Sequence, residues 1–164
     1  MNAKNVAFFD MDGTITAPLY KHNGKLVTGF PLDEWNAFVK KEQEHAYDNV
    51  KLLMPVLEYA NSLKSRGWDC KILTSAAVPE EEKAKIIFVR NNRQLRVFSD
   101  ILFVKYVSDK PGYILDYAKR NHMRPDQCIL VEDSAETAWA ANGLGIRTML
   151  LSHVYSKAYD AAED

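Results

Sequence analysis

Cysteine is scarce, neither sign of charge is in excess, and no apolar run is long. The chain has 164 residues and two cysteines, Cys70 and Cys128. Each sits inside an apolar, strand-like segment, which suits reduced core thiols and argues against a disulfide scaffold. A formal net charge of −1 lacks the basic footprint that phosphate-backbone recognition relies on, so nucleic acid is not indicated as a partner and nor is an anionic membrane surface. Apolar runs such as Ile86-Ile87-Phe88-Val89 and Ile101-Leu102-Phe103-Val104 are far too short to span a bilayer. The first apolar stretch is interrupted by Asp10, too early for a signal-peptide core, which predicts a cytoplasmic protein. His22, His45, His122 and His153 show no metal-ligand spacing, and neither GxxxxGK[ST] nor GxGxxG occurs. An EF-hand loop is excluded because Thr14 and Ile15 stand where it needs an acid or Asn and then Gly.

What the chain does have is Val6-Ala7-Phe8-Phe9-Asp10-Met11-Asp12-Gly13-Thr14, an apolar run that stops at two acids, a glycine and a threonine. Such a run suits a strand buried on both faces of a parallel sheet, and Gly13 signals the turn after it. The pattern recurs. Asp69-Cys70-Lys71-Ile72-Leu73-Thr74-Ser75 is an apolar strand ending in two hydroxyls, and Gln127-Cys128-Ile129-Leu130-Val131-Glu132-Asp133 ends in two acids. Further strands are predicted over 101–107 and 147–151.

Helices are predicted between these strands. One covers 53–66, with Pro55 near its start and Gly67 at its stop; a second opens at Pro79 and Glu80, Glu81 and Glu82, acids read as complementing the helix dipole. A third begins at Ser108-Asp109-Lys110-Pro111, and a fourth covers 135–142 and closes at Gly143. Lys110 at a helix N-terminus is unfavourable locally and invites a search for an anion beside it. Between the first two sheet strands, Asn23-Gly24 predicts a hairpin. Residues 31–45 predict a helix with Leu32, Trp35, Phe38 and Val39 on one apolar face, either packed on the body or acting as a lid. The tail over 156–164 reads as a terminal helix or a fraying end.

Alternating strands and helices imply βαβ units, hence an α/β fold with helices on both faces of a parallel, three-layer, Rossmann-like sheet. All strand ends then share one edge, where Asp10, Asp12, Thr74, Ser75, Glu132, Asp133 and Lys110 converge. Oxygen ligands without His or Cys favour a hard cation such as Mg²⁺. With Lys110 and the Thr74 hydroxyl to hold phosphoryl oxygens, the set suits phosphoryl transfer.

On these residues the chain resembles the haloacid dehalogenase superfamily, in its aspartate-nucleophile phosphatase branch. The DxDGT motif stands as Asp10-Met11-Asp12-Gly13-Thr14, the Thr/Ser motif as Thr74 in Leu73-Thr74-Ser75, the Lys motif as Lys110 with Lys105 the weaker match, and the acidic pair as Glu132-Asp133. The resemblance implies that Asp10 is the nucleophile that becomes phosphorylated and that Asp12 serves first as acid and then as base. It also implies that Asp10, Asp12 through its main-chain carbonyl, and Asp133 hold Mg²⁺, with Glu132 direct or through water. Thr74, Ser75 and Lys110 are the residues expected to bind the phosphoryl group. Because dehalogenase members lack the second acid, Asp12 points to phosphate chemistry on a small phosphorylated substrate. The implied organisation is one domain over 1–164 with a minimal cap or flap insertion at about 18–49. So small a cap leaves room for a partner subunit, as in a homo-oligomer, or a large substrate to complete the site. Glu136, downstream of the acidic pair, is a candidate for orienting the metal ligands. Nucleotides and nucleic-acid ends remain alternative substrates, and a phosphate-binding or regulatory module without turnover is the rival class.

Overall fold

The computed structural model describes residues 4–151. In chain order the elements are β1 (Val6–Phe9), β2 (Thr16–Ala17), β3 (Tyr20–His22), β4 (Lys25–Val27), α1 (Leu32–Glu42), β5 (Lys51–Leu52), α2 (Met54–Ser65), β6 (Asp69–Ser75), α3 (Pro79–Asn91), β7 (Ile101–Val104), α4 (Lys110–Arg120), β8 (Cys128–Glu132), α5 (Ala135–Gly143) and β9 (Arg147–Leu150). Short 3₁₀ turns occupy Gln43–Tyr47, Arg93–Val97, Val107–Asp109 and Pro125–Gln127.

Five strands form one sheet in the order β7-β6-β1-β8-β9, and every neighbouring pair is parallel. β1 lies at its centre, with Phe9 opposite Ile72 on one side and Val131 on the other. Its four residues are all buried, and the two-residue period of a strand divides them between two cores. Ala7 and Phe9 join the apolar cluster that includes Leu57 and Ala60 of α2 and Ala84 of α3. Val6 and Phe8 join the one that includes Ile114 and Ala118 of α4 and Ala141 of α5. Helices therefore cover both faces of a Rossmann-like α/β sheet, as the alternating pattern implies. Edge-on aromatic contacts fix each face: Phe8 to Tyr117 and Phe9 to Phe98, both with centroids 5.2 Å apart. Cys70 and Cys128 are buried, free thiols.

Between β1 and α2 the chain leaves the sheet. β2 pairs antiparallel with β5, a two-stranded neck that the sequence pattern does not announce. Above it, β3 and β4 form the expected hairpin, turning at Asn23 (φ 49°) and Gly24 (φ 78°), as Asn-Gly permits. The helix expected over 31–45 is α-helical only to Glu42, because Gln43 takes φ 50°; a 3₁₀ turn then carries the chain to Tyr47. The strand expected over 101–107 also stops early, at Val104. There the Asp109 carboxylate accepts the Tyr106 N–H at 3.0 Å, and this local bond competes with the sheet ladder. The tail over 156–164 and His153 lie outside the described residues. Among the described residues, no helix is long and apolar enough to cross a membrane.

Candidate active site

The site sits beyond the carboxyl end of β1. The Asp10 N–H is still part of the ladder, donating to the Val131 carbonyl at 2.9 Å, after which the backbone folds over a single acceptor. The Met11 carbonyl receives the N–H groups of Thr14, Ile15 and Thr16 at 3.2, 3.0 and 3.0 Å, together with the Thr16 hydroxyl at 3.1 Å. Gly13 is needed for two reasons: its φ of +82° favours glycine, and a Cβ there would collide with the Asp133 carboxylate. The tight loop turns the Thr14 hydroxyl back to donate to Asp10 Oδ2 at 3.1 Å.

The other Asp10 oxygen belongs to Lys110. Its ammonium, fully buried, lies 2.5 Å from Asp10 Oδ1 and 2.8 Å from Glu132 Oε2. The anion that the helix start of α4 calls for is thus a pair of carboxylates from β8 and the residue just beyond β1. Glu132 is held from behind as well, its Oε1 accepting the N–H groups of Asp133 at 3.1 Å and Ser134 at 3.2 Å. Burial alone would lower the Lys110 pKa, but the Asp10 and Glu132 carboxylates raise it to about 12. Burial raises Asp10, while at Glu132 burial is outweighed by Lys110 and by hydrogen bonds, which hold the carboxyl below the usual range.

Asp10, Glu132 and Asp133 bring carboxylate oxygens within 4.8 Å of one another. Burial, then the neighbouring Asp10 and Glu132, push the Asp133 carboxyl up to about 9. One lysine is too little positive charge for three crowded acids, and the donors are all oxygen, which fits a hard divalent cation such as Mg²⁺. The Asp12 side chain lies outside this group.

The Asp12 carboxylate instead turns toward a second network that the sequence pattern does not reveal. Lys85 Nζ, fully buried on α3, is 2.8 Å from Asp12 Oδ2 and 3.0 Å from Glu81 Oε1. It also donates to Thr74 Oγ1 at 2.9 Å and to the Ser75 carbonyl at 2.6 Å. Although burial works against the charged form, Asp12 and then Glu81 raise the Lys85 pKa. From the segment between β2 and β5, the Tyr47 hydroxyl donates to the same carboxylate, 3.2 Å from Oδ1 and 3.4 Å from Oδ2. Of the three first-turn acids that complement the dipole of α3, Glu81 is in addition buried and ion-paired. Glu81 and Lys85 form an i,i+4 pair readable on a helix. Nothing local marks Tyr47.

These groups open onto a cleft of about 950 Å³. Asp10, Asp12, Ser75, Glu132 and Asp133 line its floor, and Glu136 lies on its wall. Tyr20, Phe30, Leu32 and Trp35 line the side contributed by the segment between β2 and β5. Thr74 and Lys110 are buried behind that floor, whereas Lys105, the weaker lysine candidate, lies at the mouth beside Tyr106.

Comparison with known proteins agrees with this architecture. No curated protein matches the chain in sequence. A predicted phosphoglycolate phosphatase of Haemophilus somnus 129PT shares 17% identity over 94% of this chain and 88% of its own, with a TM-score of 0.63. A haloacid dehalogenase-like family hydrolase of Streptococcus pneumoniae shares 17% over 92% of this chain and 85% of its own, at 0.59. A family enzyme from Bacteroides thetaiotaomicron, in complex with magnesium and inorganic phosphate, shares 11% over 90% of this chain and 93% of its own, at 0.55. At such identities the likeness is one of fold. The family model of haloacid dehalogenase-like hydrolases matches residues 19–151, a span that begins just after the Asp10 to Thr14 loop and takes in Thr74, Lys110, Glu132 and Asp133. The chain belongs to the haloacid dehalogenase-like hydrolase family.

Proposed function

We propose that this chain is a Mg²⁺-dependent phosphatase that hydrolyses a phosphomonoester through an aspartyl-phosphate on Asp10. The observation that carries the reading is the division of labour between two acids two residues apart. Asp10 is fixed by Thr14 and Lys110 on the floor of the cleft. Asp12 faces the same cleft but is held by a separate set of partners. This separation supports a reading in which Asp10 attacks and Asp12 moves a proton.

In the first half-reaction an Asp10 oxygen attacks phosphorus, the bond from phosphorus to the leaving oxygen breaks, and the Asp12 carboxyl gives that oxygen its proton. In the second, the Asp12 carboxylate takes a proton from water, whose oxygen attacks phosphorus and releases Asp10 and inorganic phosphate. Ser75 on the cleft floor, with Thr74 and Lys110 behind it, supplies donors for the phosphoryl oxygens. Asp10, Asp133 and the main-chain carbonyl of Asp12 are the groups that would hold Mg²⁺, with Glu132 direct or through water. When bound, the cation offsets the repulsion between an anionic nucleophile and an anionic phosphate. The presence of Asp12 supports phosphate rather than halide chemistry, and the setting proposed is cytoplasmic, on a small phosphorylated substrate.

A panel of phosphomonoesters assayed for phosphate release with and without Mg²⁺ tests this. The expected result is Mg²⁺-dependent release that Asp10→Asn abolishes. Folded protein without turnover on any member would refute the reading and leave a phosphate-binding module.

A further inference from the structure

Lys85 is a fully buried cation that the steps above do not use, and Tyr47 is a buried hydroxyl from a different part of the chain. Both end on Asp12. Lys85 is anchored on three sides, by Glu81, by the Thr74 hydroxyl and by the Ser75 carbonyl at the end of β6. Glu81 is fixed in turn by the Ala77 N–H, which donates to Oε2 at 3.2 Å. Tyr47 is held by its ring, which packs 6.1 Å from Tyr20, 6.2 Å from Trp35 and 5.6 Å from Phe88 of α3. The Asp12 carboxylate is therefore gripped at one oxygen from the body and at both from the segment between β2 and β5. These bonds fix the plane of the carboxylate, and the segment that walls the cleft shares in fixing it.

We propose that Lys85 and Tyr47 are positioning residues that aim the Asp12 carboxyl at the leaving oxygen. The inference rests on the phosphatase reading above and extends it to residues outside the family motifs. Through Tyr47, the 3₁₀ turn at Gln43–Tyr47 couples the placement of the substrate-facing aromatic wall to that of the proton donor. The physical warrant is that a displaced catalytic group loses much of its effect even when its chemistry is intact.

The consequence is a leaving-group signature. A p-nitrophenyl group departs without help from an acid, whereas an alkoxide needs the proton that Asp12 supplies as the phosphorus–oxygen bond breaks. kcat/KM reports steps only through phosphorylation of Asp10, so the later use of Asp12 as base does not enter it. The test compares p-nitrophenyl, phenyl and benzyl phosphates, similar in shape and graded in leaving-group pKa, with wild type, Tyr47→Phe, Lys85→Met and Lys85→Arg. Tyr47→Phe keeps the packed ring and removes only the hydroxyl. It is expected to lose about tenfold in kcat/KM on benzyl phosphate and much less on p-nitrophenyl phosphate, a fraction of the ~10² or more available to general acid catalysis.

Lys85→Met is expected to lower kcat/KM on all three, through Thr74, and to steepen the dependence on leaving-group pKa as well. Lys85→Arg is expected to restore part of that slope. Parallel losses for Tyr47→Phe across the series, or no loss, would overturn the proposal while leaving the phosphatase reading intact. Absence of wild-type turnover on every ester would overturn both. Where Lys85→Met fails to fold, the slope for Tyr47→Phe decides alone.

Discussion

Lys110→Met removes the cation that lies among Asp10, Glu132 and their neighbour Asp133. The Lys110 ammonium makes two buried ion pairs, at 2.5 and 2.8 Å, and is fully buried itself. Methionine nearly matches its volume, so the main effect is charge left uncompensated. Breaking a buried pair from one side costs about 3–5 kcal/mol. Protonation of one acid caps the loss, which favours the lower part of that range. For a domain of this size, 1 kcal/mol moves Tm by roughly 2–4 °C, so the variant is expected to melt about 6–15 °C below wild type in the presence of a chelator. Added Mg²⁺ should raise Tm more in the variant than in wild type, because a more negative cluster binds a dication more tightly and binding to the native state alone stabilises it. Thermal melts followed by circular dichroism, with EDTA and then with excess Mg²⁺, read both effects. Lys105→Met is the control: this exposed lysine at the cleft mouth should leave stability within about 0.5 kcal/mol. A metal-free Lys110→Met protein that melts within about 2 °C of wild type would refute the assignment of Lys110 as the counter-charge.

Two further outcomes are expected. Gly13→Ala places a methyl group against the Asp133 carboxylate at φ +82°; backbone strain costs about 1–2 kcal/mol, and calorimetric titration should show weaker Mg²⁺ binding, an unchanged affinity arguing against Asp133 as a ligand. Trp35 packs 4.7 Å from Tyr20 and 5.8 Å from Phe38 on the wall of the cleft. Trp35→Ala should change KM or the ranking of phosphomonoesters if residues 18–49 act as a lid, and a change in stability alone would make α1 ordinary packing.

Much of this protein is legible in one dimension because its signals are local. Val6 to Phe9 must leave water on both faces, the acids after Phe9 cannot follow them into the core, and Gly13 permits the turn between; strand, edge and loop follow from adjacent residues. The same holds for Thr74 at the end of β6, for Glu132 and Asp133 at the end of β8, and for the hairpin at Asn23 and Gly24. Lys110 is visible as an oddity at a helix start, but its pairing with Asp10 and Glu132 is not.

What the tertiary structure alone decided is how these ends are wired. Lys85 reads as one more polar residue of a charged helix until α3 packs against the end of β6 and buries it between Asp12 and Glu81. Tyr47 carries no local mark, because its meaning depends on the neck of β2 and β5 returning the chain to within hydrogen-bond reach of an acid far away in sequence. Apolar periodicity records which residues must be buried. It does not record which buried charges meet, since that depends on distances across the sheet edge that no neighbour in sequence encodes.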